Sequence, residues 1–230
     1  MKIILPDNYS EIKVGQYMSL WDMYEKQTDA FVAQRQCIEL LAGLKPDSLK
    51  NATWESIEQA STSLNWLISE PDPFTLKLPL VRRFELEGKQ YGFIPDMSKL
   101  TVGEYADLET LCKDGVFDVL NKLCSILFRE VTNEKLDKYN IKVYEPDADR
   151  DEAMKNLQMD IAVGAIVFFL QHRKGINFHY GTLFTKDGNS EGDIIHDKWG
   201  WYGIMYQLAS GNLLQMDAVQ SIYIEQALTF

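Results

Sequence analysis

The side chains of this chain that could bind a metal ion through oxygen atoms are concentrated in the polar segment 185–197. Its stretch from Asp187 to Gly192 begins like a calcium-binding loop, with oxygen-bearing side chains and a glycine at the sixth position. A calcium loop needs a bidentate glutamate at the twelfth position, where this sequence has Lys198. The segment is therefore better interpreted as a solvated polar loop, and whether it binds a cation stays open.

A second acidic group could also hold a metal through clustered carboxylates. It consists of Asp147, Asp149, Asp151 and Glu152. These residues come at the start of a predicted long helix, where negative charge interacts favourably with the helix dipole. That position favours a role in stabilising the helix, and we expect no metal here.

Cysteine and histidine are the remaining residue types that could support catalysis or zinc binding. The chain has three of each: Cys37, Cys112, Cys124, His172, His179 and His196. No C-x-x-C or H-x-x-x-H spacing occurs, so a zinc site would have to be assembled from distant residues. The odd number and wide spacing of the cysteines indicate buried thiols in a reducing compartment. A small cytosolic enzyme that uses Cys112 or Cys124 with a histidine is one interpretation left open.

Phosphate-binding and cofactor-binding motifs do not occur in the sequence. Neither G-x-G-x-x-G nor G-x-x-x-x-G-K-[ST] is found. We therefore expect no cofactor, no catalytic residue and no enzymatic activity.

The aromatic run 199–203 could form a platform for a ligand. At helical spacing its residues more simply form a packing stripe, which would consist of Trp199, Tyr202, Tyr206 and Ala209. Trp201 lies off that stripe, which makes it a candidate for a contact with another subunit.

The bulk properties exclude several classes of protein. The 230 residues carry a formal net charge of −11, and nonspecific nucleic-acid binding needs a basic surface instead. Pro6 and Asp7 interrupt the first apolar residues, so we expect no signal peptide. The longest apolar run, residues 161–170, is too short to span a bilayer. We expect a cytoplasmic protein at synthesis, with no membrane partner.

The sequence contains an internal repeat. Residues 5–20 and residues 94–108 align with a single-residue gap and share Pro-Asp, Val-Gly, Tyr and Leu; the Val-Gly pairs lie 88 positions apart. The correspondence extends downstream, where Cys37 falls opposite Cys124 with an apolar helical pattern around each. A duplicated helix start favours a scaffold or assembly protein over one built around a catalytic pocket.

Hydrophobic periodicity and turn residues predict mostly helices. The predicted helices cover residues 14–26, 29–43, 53–68, 101–113, 117–131, 150–172 and 198–210, with a last one from 217 onwards. Alternating residues around Glu87 and Gly88 predict a β-hairpin over 82–95, and residues 142–151 are a polar connector.

The predicted fold class is mainly α: a multi-helix bundle with duplicated N-terminal helical units and one β-hairpin. The first domain would be a duplicated helical module over residues 1–140, with units at about 1–70 and 90–140. The second would be a C-terminal helical bundle over 141–230, with the helix through residues 161–170 at its buried centre.

The sequence resembles a class of tailed-bacteriophage proteins. The features that carry the resemblance are the Leu-Pro-Asp lead into the Val14–Tyr17 helix start, the Ile-Leu-Phe-Arg stretch 126–129, and the segments 198–202 and 208–212. Such proteins occur in the morphogenesis gene blocks of phages of Bacteroides and relatives, including crAss-like phages. They are tail-assembly-chaperone-like, head–tail connector or other virion proteins.

The resemblance implies a non-enzymatic structural component of a tailed-phage particle, at the portal or head–tail connector or as a packaged virion protein. Its partners would be portal, connector or tail proteins and further copies of itself, first in the host cytoplasm and then in the virion. A soluble tail-assembly chaperone absent from the mature virion is the alternative. The apolar last turn adds Leu228 and Phe230 to Trp201 as candidate interface residues.

Overall fold

The computed structural model describes residues 3–26, 29–68, 78–113, 115–135, 138–180 and 200–229. The chain divides into two compact units: unit 1 is residues 1–81 with 148–167, and unit 2 is residues 82–147 with 168–230. These boundaries differ from the predicted ranges 1–140 and 141–230, because residues 148–167 pack within unit 1 and each unit is built from two separate stretches of chain.

The described residues contain eleven α-helices and four strands, so the fold is mainly α as predicted. The helices are α1 Val14–Lys26, α2 Ala30–Leu41, α3 Trp54–Ser63, α4 Asn65–Ile68, α5 Val102–Lys113, α6 Leu120–Leu127, α7 Ala148–Ala153, α8 Met159–Tyr180, α9 Trp201–Leu208, α10 Met216–Gln220 and α11 Ile224–Ala227. The strands are β1 Arg83–Leu86, β2 Lys89–Phe93, β3 Phe128–Lys135 and β4 Lys138–Ile141. No helix within the described ranges has both the length and the apolar character needed to traverse a bilayer.

Helix ends in unit 1 follow the capping residues of the sequence. The Asp29 side chain accepts hydrogen bonds from the first backbone N–H groups of α2, and Thr53 caps α3 in the same way. Helix α2 ends before Gly43, whose φ of +64° gives the left-handed turn that glycine adopts at no steric cost. Apolar side chains of α2, α3 and the residues that follow each of them form one cluster: Ile38, Leu49, Ile57 and Leu64.

Unit 2 contains an antiparallel sheet in the order β1-β2-β3-β4. Glu87 and Gly88 have φ of +52° and +76°, the positive values of a tight hairpin turn, so the predicted hairpin is confirmed. The sheet is larger than that one hairpin, because β3 pairs with β2 and β4 pairs with β3.

The predicted helix over 117–131 was wrong at its C-terminal end. Helix α6 ends at Leu127, and the chain continues as β3 from Phe128. Phe128 pairs with Phe93 of β2, and Val131 begins the pairing with β4. An apolar run of this length fits either a helix or a strand, and the available edge of β2 decides for the strand.

The predicted long helix over 150–172 was wrong in its continuity and at its C-terminal end. Helix α7, a 3₁₀ turn at Met154–Asn156 and helix α8 replace it, because the backbone around Gln158 forms a bridge with Lys13. Gly175 does not end α8, which continues to Tyr180.

Candidate functional site: two matched docking sites

In unit 1, the first repeat copy holds a segment from a distant part of the chain. The Val14 N–H donates to the Leu157 carbonyl at 2.9 Å, and the Met159 N–H donates to the Ile12 carbonyl at 2.8 Å. Lys13 faces Gln158 in this short antiparallel bridge. We call residues 12–17 docking site 1 and residues 154–159 docking segment 1.

In unit 2, the second repeat copy makes the same two bonds. The Val102 N–H donates to the Ile222 carbonyl at 2.8 Å, and the Ile224 N–H donates to the Leu100 carbonyl at 2.8 Å. Thr101 faces Tyr223 in the bridge. We call residues 100–105 docking site 2 and residues 219–224 docking segment 2.

Each docking site closes its own helix start with the side chain three positions further on. The Lys13 N–H donates to Oε1 of Gln16 at 3.0 Å, and the Thr101 N–H donates to Oε2 of Glu104 at 2.7 Å. At site 2 the Glu104 N–H also donates to the Thr101 hydroxyl at 3.3 Å, which completes a capping box, whereas at site 1 the Lys13 side chain cannot accept such a bond. In each site the residue whose N–H makes this bond is also the one that faces the docking segment in the bridge.

A glycine in each site allows the docking segment to approach closely. A Cβ at Gly15 would lie 3.0 Å from the Lys155 Cβ, and a Cβ at Gly103 would lie 3.3 Å from the Gln220 Cβ. Both distances are shorter than ordinary van der Waals contact between carbons. The shared Val-Gly pair of the repeat is therefore explained by this approach.

The two docking segments also resemble each other, which the sequence reasoning missed. Residues 152–160 and 217–225 both begin and end with an acidic residue, and share an Ala at the second position and apolar residues at the third, sixth and eighth. Met154, Leu157 and Met159 are buried in unit 1, as are Val219 and Ile224 in unit 2. The signal was in the sequence, but the segments lie 65 positions apart and so fall outside the 88-position offset of the sites.

Gln16 and its counterpart Glu104 each have a further side-chain polar atom, besides the one that accepts the capping bond. These two atoms have different partners. The Gln16 side-chain amide donates to the Leu40 carbonyl at 3.2 Å, at the end of α2. The Glu104 carboxylate instead accepts from the Arg129 guanidinium at 2.5 Å, with both side chains about one-twentieth exposed. The amide fits a carbonyl and the carboxylate fits a guanidinium, so each site has the residue type that its own unit requires.

A groove of about 810 Å³ in unit 2 lies beside docking site 2. Its walls include Glu104, Arg129 and part of docking segment 2. Asp107 at its side accepts hydrogen bonds from the hydroxyls of Tyr144 at 2.8 Å and Tyr202 at 3.0 Å. Burial and the Asp107 charge both raise the pKa of the Tyr202 hydroxyl.

The thiols that could serve as nucleophiles lie in surroundings that disfavour the thiolate. Burial raises the pKa of Cys112 to about 11 and that of Cys124 to about 12. The nearby Arg173 lowers the Cys112 pKa, but by less than burial raises it. Arg173 is held by Glu109 through two hydrogen bonds of 2.5 and 2.8 Å. Both thiols are therefore protonated at neutral pH.

The structure places part of the predicted acidic cluster at a helix start. Asp149 and Asp151 lie in the first turn of α7, and Glu152 forms an ion pair with Lys155 at 2.7 Å. Within the described ranges, no group of three or more His, Cys, Asp or Glu side chains is arranged to hold a metal ion. The predicted polar loop 185–197 and His196 lie outside the described residues.

The candidate interface residues have different surroundings. Trp201 is 7% exposed and packs edge-on against Tyr105, with ring centroids 4.8 Å apart, so it presents little surface to another subunit. Leu228 is half-buried, and Phe230 lies outside the described residues.

The buried face of α9 is a different one from the predicted aromatic packing stripe. Its buried face is formed by Trp201, Met205 and Ala209, whereas Tyr202 and Tyr206 are exposed. Leu213 and Leu214, just beyond α9, are 72% and 93% exposed. The exposed apolar surface of this region is therefore formed by these two tyrosines and two leucines, and not by Trp201, the predicted interface residue.

Comparisons with known proteins add no relative to this description. Neither a protein-family model, nor a curated protein, nor a solved structure matches the chain.

Proposed function

We propose that the protein is a non-enzymatic structural component of a tailed-phage particle that works through protein–protein contacts. Its place would be the portal or head–tail connector, or the interior of the particle as a packaged protein. Portal, connector or tail proteins and further copies of the chain would be its partners. The resemblance of residues 5–17, 126–129, 198–202 and 208–212 to virion morphogenesis proteins motivates this assignment.

The observation that carries the proposal is the exposed apolar surface of α9 and the residues just after it. Leu213 and Leu214 are adjacent, with 72% and 93% of their surface exposed. Three residues of α9 expose more than a third of theirs: Tyr202, Tyr206 and Leu208. Large apolar side chains grouped at a surface are typical of protein contact regions. The tyrosines add aromatic area with polar ends, which interfaces also favour.

The duplicated architecture supports the same role. We regard docking sites 1 and 2, each with its docking segment, as two copies of one structural unit. Such a unit joins distant stretches of chain by backbone hydrogen bonds and apolar packing, which suits a scaffold. The net charge of −11 also suits a protein near packaged DNA, because an acidic surface does not retain the passing genome.

The test is quantitative mass spectrometry of gradient-purified particles of the source phage, with copies counted against the portal protein. A fixed ratio near one to one is expected for a portal or connector protein, and a larger or variable ratio for a packaged one. Absence from particles with presence in the infected-cell lysate would overturn the proposal in favour of the tail-assembly chaperone.

A second measurement addresses the exposed apolar surface directly. Replacing Leu213 and Leu214 with glutamate is expected to remove the protein from particles without unfolding it, because both side chains lie in solvent. Exposed Ile4 in unit 1, 79% accessible, provides the control substitution Ile4→Glu, which should leave incorporation unchanged. Normal incorporation of the double glutamate variant would contradict the role given to this surface.

A further inference from the structure

We propose that docking segment 2 is an exchangeable arm, which also binds docking site 2 of a second copy of this chain. The inference rests on the proposed function, since it names the contact by which copies would associate. The partner is defined by the structure: residues 219–224 of another copy, held by the backbone groups of Leu100 and Val102.

The recurrence of the docking geometry carries the inference. Sites 1 and 2 bind their segments with the same pair of backbone hydrogen bonds, the same bond from the bridging N–H to the side chain three positions on, and a glycine contact at the same position. In both cases the segment comes from a distant part of the sequence. Binding therefore depends on local contacts of the segment and not on a short connection, so a segment from another chain satisfies the same site.

The chain before docking segment 2 has the properties of a hinge. Ser210 and Gly211 have φ of +53° and +74°, and the N–H of Gly211 donates to the Tyr206 carbonyl at 2.9 Å. This is a helix-ending turn with serine at the position that favours glycine, and a left-handed non-glycine residue is strained. Opening the turn releases that strain, and exchange of an identical element replaces every other contact it breaks.

Docking segment 1 provides the contrast within the same chain. It continues through Gln158 directly into the 22-residue helix α8. Docking segment 2 instead runs from the end of α10, a helix of five residues, to the first residue of α11, a helix of four. Only the second segment can therefore move without displacing a long helix.

The exposed leucines agree with this asymmetry. Leu213 and Leu214 lie directly after the hinge, where they are accessible in the closed chain. When two chains exchange their arms, the two hinge regions run side by side. Adjacent hinges would bury these four leucines against one another, which the closed chain does not do.

The experiment uses two full-length variants, Gly103→Cys and Gln220→Cys, both in a Cys112→Ser background. The relevant Cβ positions lie 3.3 Å apart, within a few tenths of an ångström of the separation in disulfides. One variant carries an affinity tag, and the two are mixed, incubated over a range of concentrations and oxidised. Exchange predicts a covalent heterodimer on non-reducing gels, with a yield that rises with protein concentration.

The matched control is the equivalent pair in unit 1, Gly15→Cys mixed with Lys155→Cys, whose Cβ positions lie 3.0 Å apart. We expect no heterodimer from this pair. The double variant Gly103→Cys with Gln220→Cys measures closure within one chain. Intrachain closure without any mixed heterodimer would overturn the exchange, as would equal heterodimer yields from both mixtures. A double variant that forms no disulfide would overturn the docking geometry itself.

These outcomes are separable from failure of the proposed function. A protein that is oligomeric by light scattering, but gives no mixed disulfide, would overturn the exchange and leave the structural role standing. Absence from phage particles would overturn the structural role, whereas the mixed disulfide is measured on the purified protein in either case.

Discussion

Glu104 and Arg129 form an ion pair within unit 2 in which the carboxylate also completes the helix cap of Thr101. One carboxylate therefore serves the sheet, through β3, and docking site 2, through the start of α5. Its counterpart Gln16 serves α2 and docking site 1 with a neutral amide. The two positions therefore differ in the contacts that their residues make, although they occupy the same place in the repeat.

Giving either position the residue type of the other should destabilise the protein. Glu104→Gln keeps the cap acceptor but removes the carboxylate from the buried Arg129, so we expect a loss of about 3 kcal/mol in the free energy of unfolding. Gln16→Glu turns a donor to the Leu40 carbonyl into an acceptor, with an expected loss of about 1–2 kcal/mol. Urea denaturation measures both, and an unchanged midpoint for Glu104→Gln would refute the importance of the pair.

Glycine-to-alanine substitutions should have opposite effects at two helical positions. At Gly175 of α8 nothing lies within 4 Å of the added methyl, so alanine should raise the free energy of unfolding by about 0.5–1 kcal/mol. At Gly15 the methyl would lie 3.1 Å from the Lys155 carbonyl oxygen, and we expect a net loss of about 1 kcal/mol. Thermal unfolding compares the two variants, and stabilisation by Gly15→Ala would disprove the close approach at docking site 1.

Acid should destabilise the protein partly through His172. Burial lowers the His172 pKa in the folded state, so the unfolded chain takes up a proton first as the pH falls through its ordinary value of 6.5. The contribution of neutral His172 to the free energy of unfolding is therefore complete above pH 6.5. It is lost as the pH falls from 6.5 towards the lowered pKa of the folded state.

The variant His172→Gln should therefore show a shallower loss of stability between about pH 7.5 and pH 5 than the parent protein. The exposed His179 on the same helix provides the substitution control His179→Gln. Denaturant midpoints across this range decide the matter, and parallel curves for parent and His172→Gln would count against a buried, neutral imidazole.

Thiol reactivity separates the structural role from the cysteine-dependent enzyme. With pKa values raised to about 11 and about 12, Cys112 and Cys124 should react slowly with maleimide near neutral pH in the native protein. Labelling should speed up with each unit of pH and on unfolding, and Cys112→Ser assigns the half-buried site. Rapid native-state labelling of Cys112 at neutral pH would favour the enzyme.

Local signals in the sequence were sufficient for the elements that depend on neighbouring residues. Asp29 and Gly43 mark the two ends of α2, and Glu87-Gly88 marks the hairpin turn. Capping and turn preferences act over a few residues, so the local sequence predicts them. The ends of α6 and the break at Gln158 were missed, since each is decided by a distant partner: the edge of β2 for Phe128, and Lys13 for Gln158.

The sequence predicted the two docking sites but not the two docking segments that bind them. The repeat at Val14-Gly15 and Val102-Gly103 pointed to a duplicated helix start, but not to what it binds. The docking segments are short, apolar and offset differently, so a single alignment offset does not detect them. Trp201 shows the same difficulty, since helical periodicity did not determine which face of α9 is buried.

The order of the docking elements along the chain has a consequence for biosynthesis. Both docking sites precede both docking segments, so a nascent chain displays two empty sites when residues 154–159 leave the ribosome. This first segment must select between two acceptors that offer it the same backbone groups. Correct pairing then depends on neighbouring contacts such as the Gln16 amide against α2. During synthesis, docking segment 1 is thus exposed to pairing with the wrong docking site. In refolding from denaturant all four elements are present at once, so the two segments compete for the two sites.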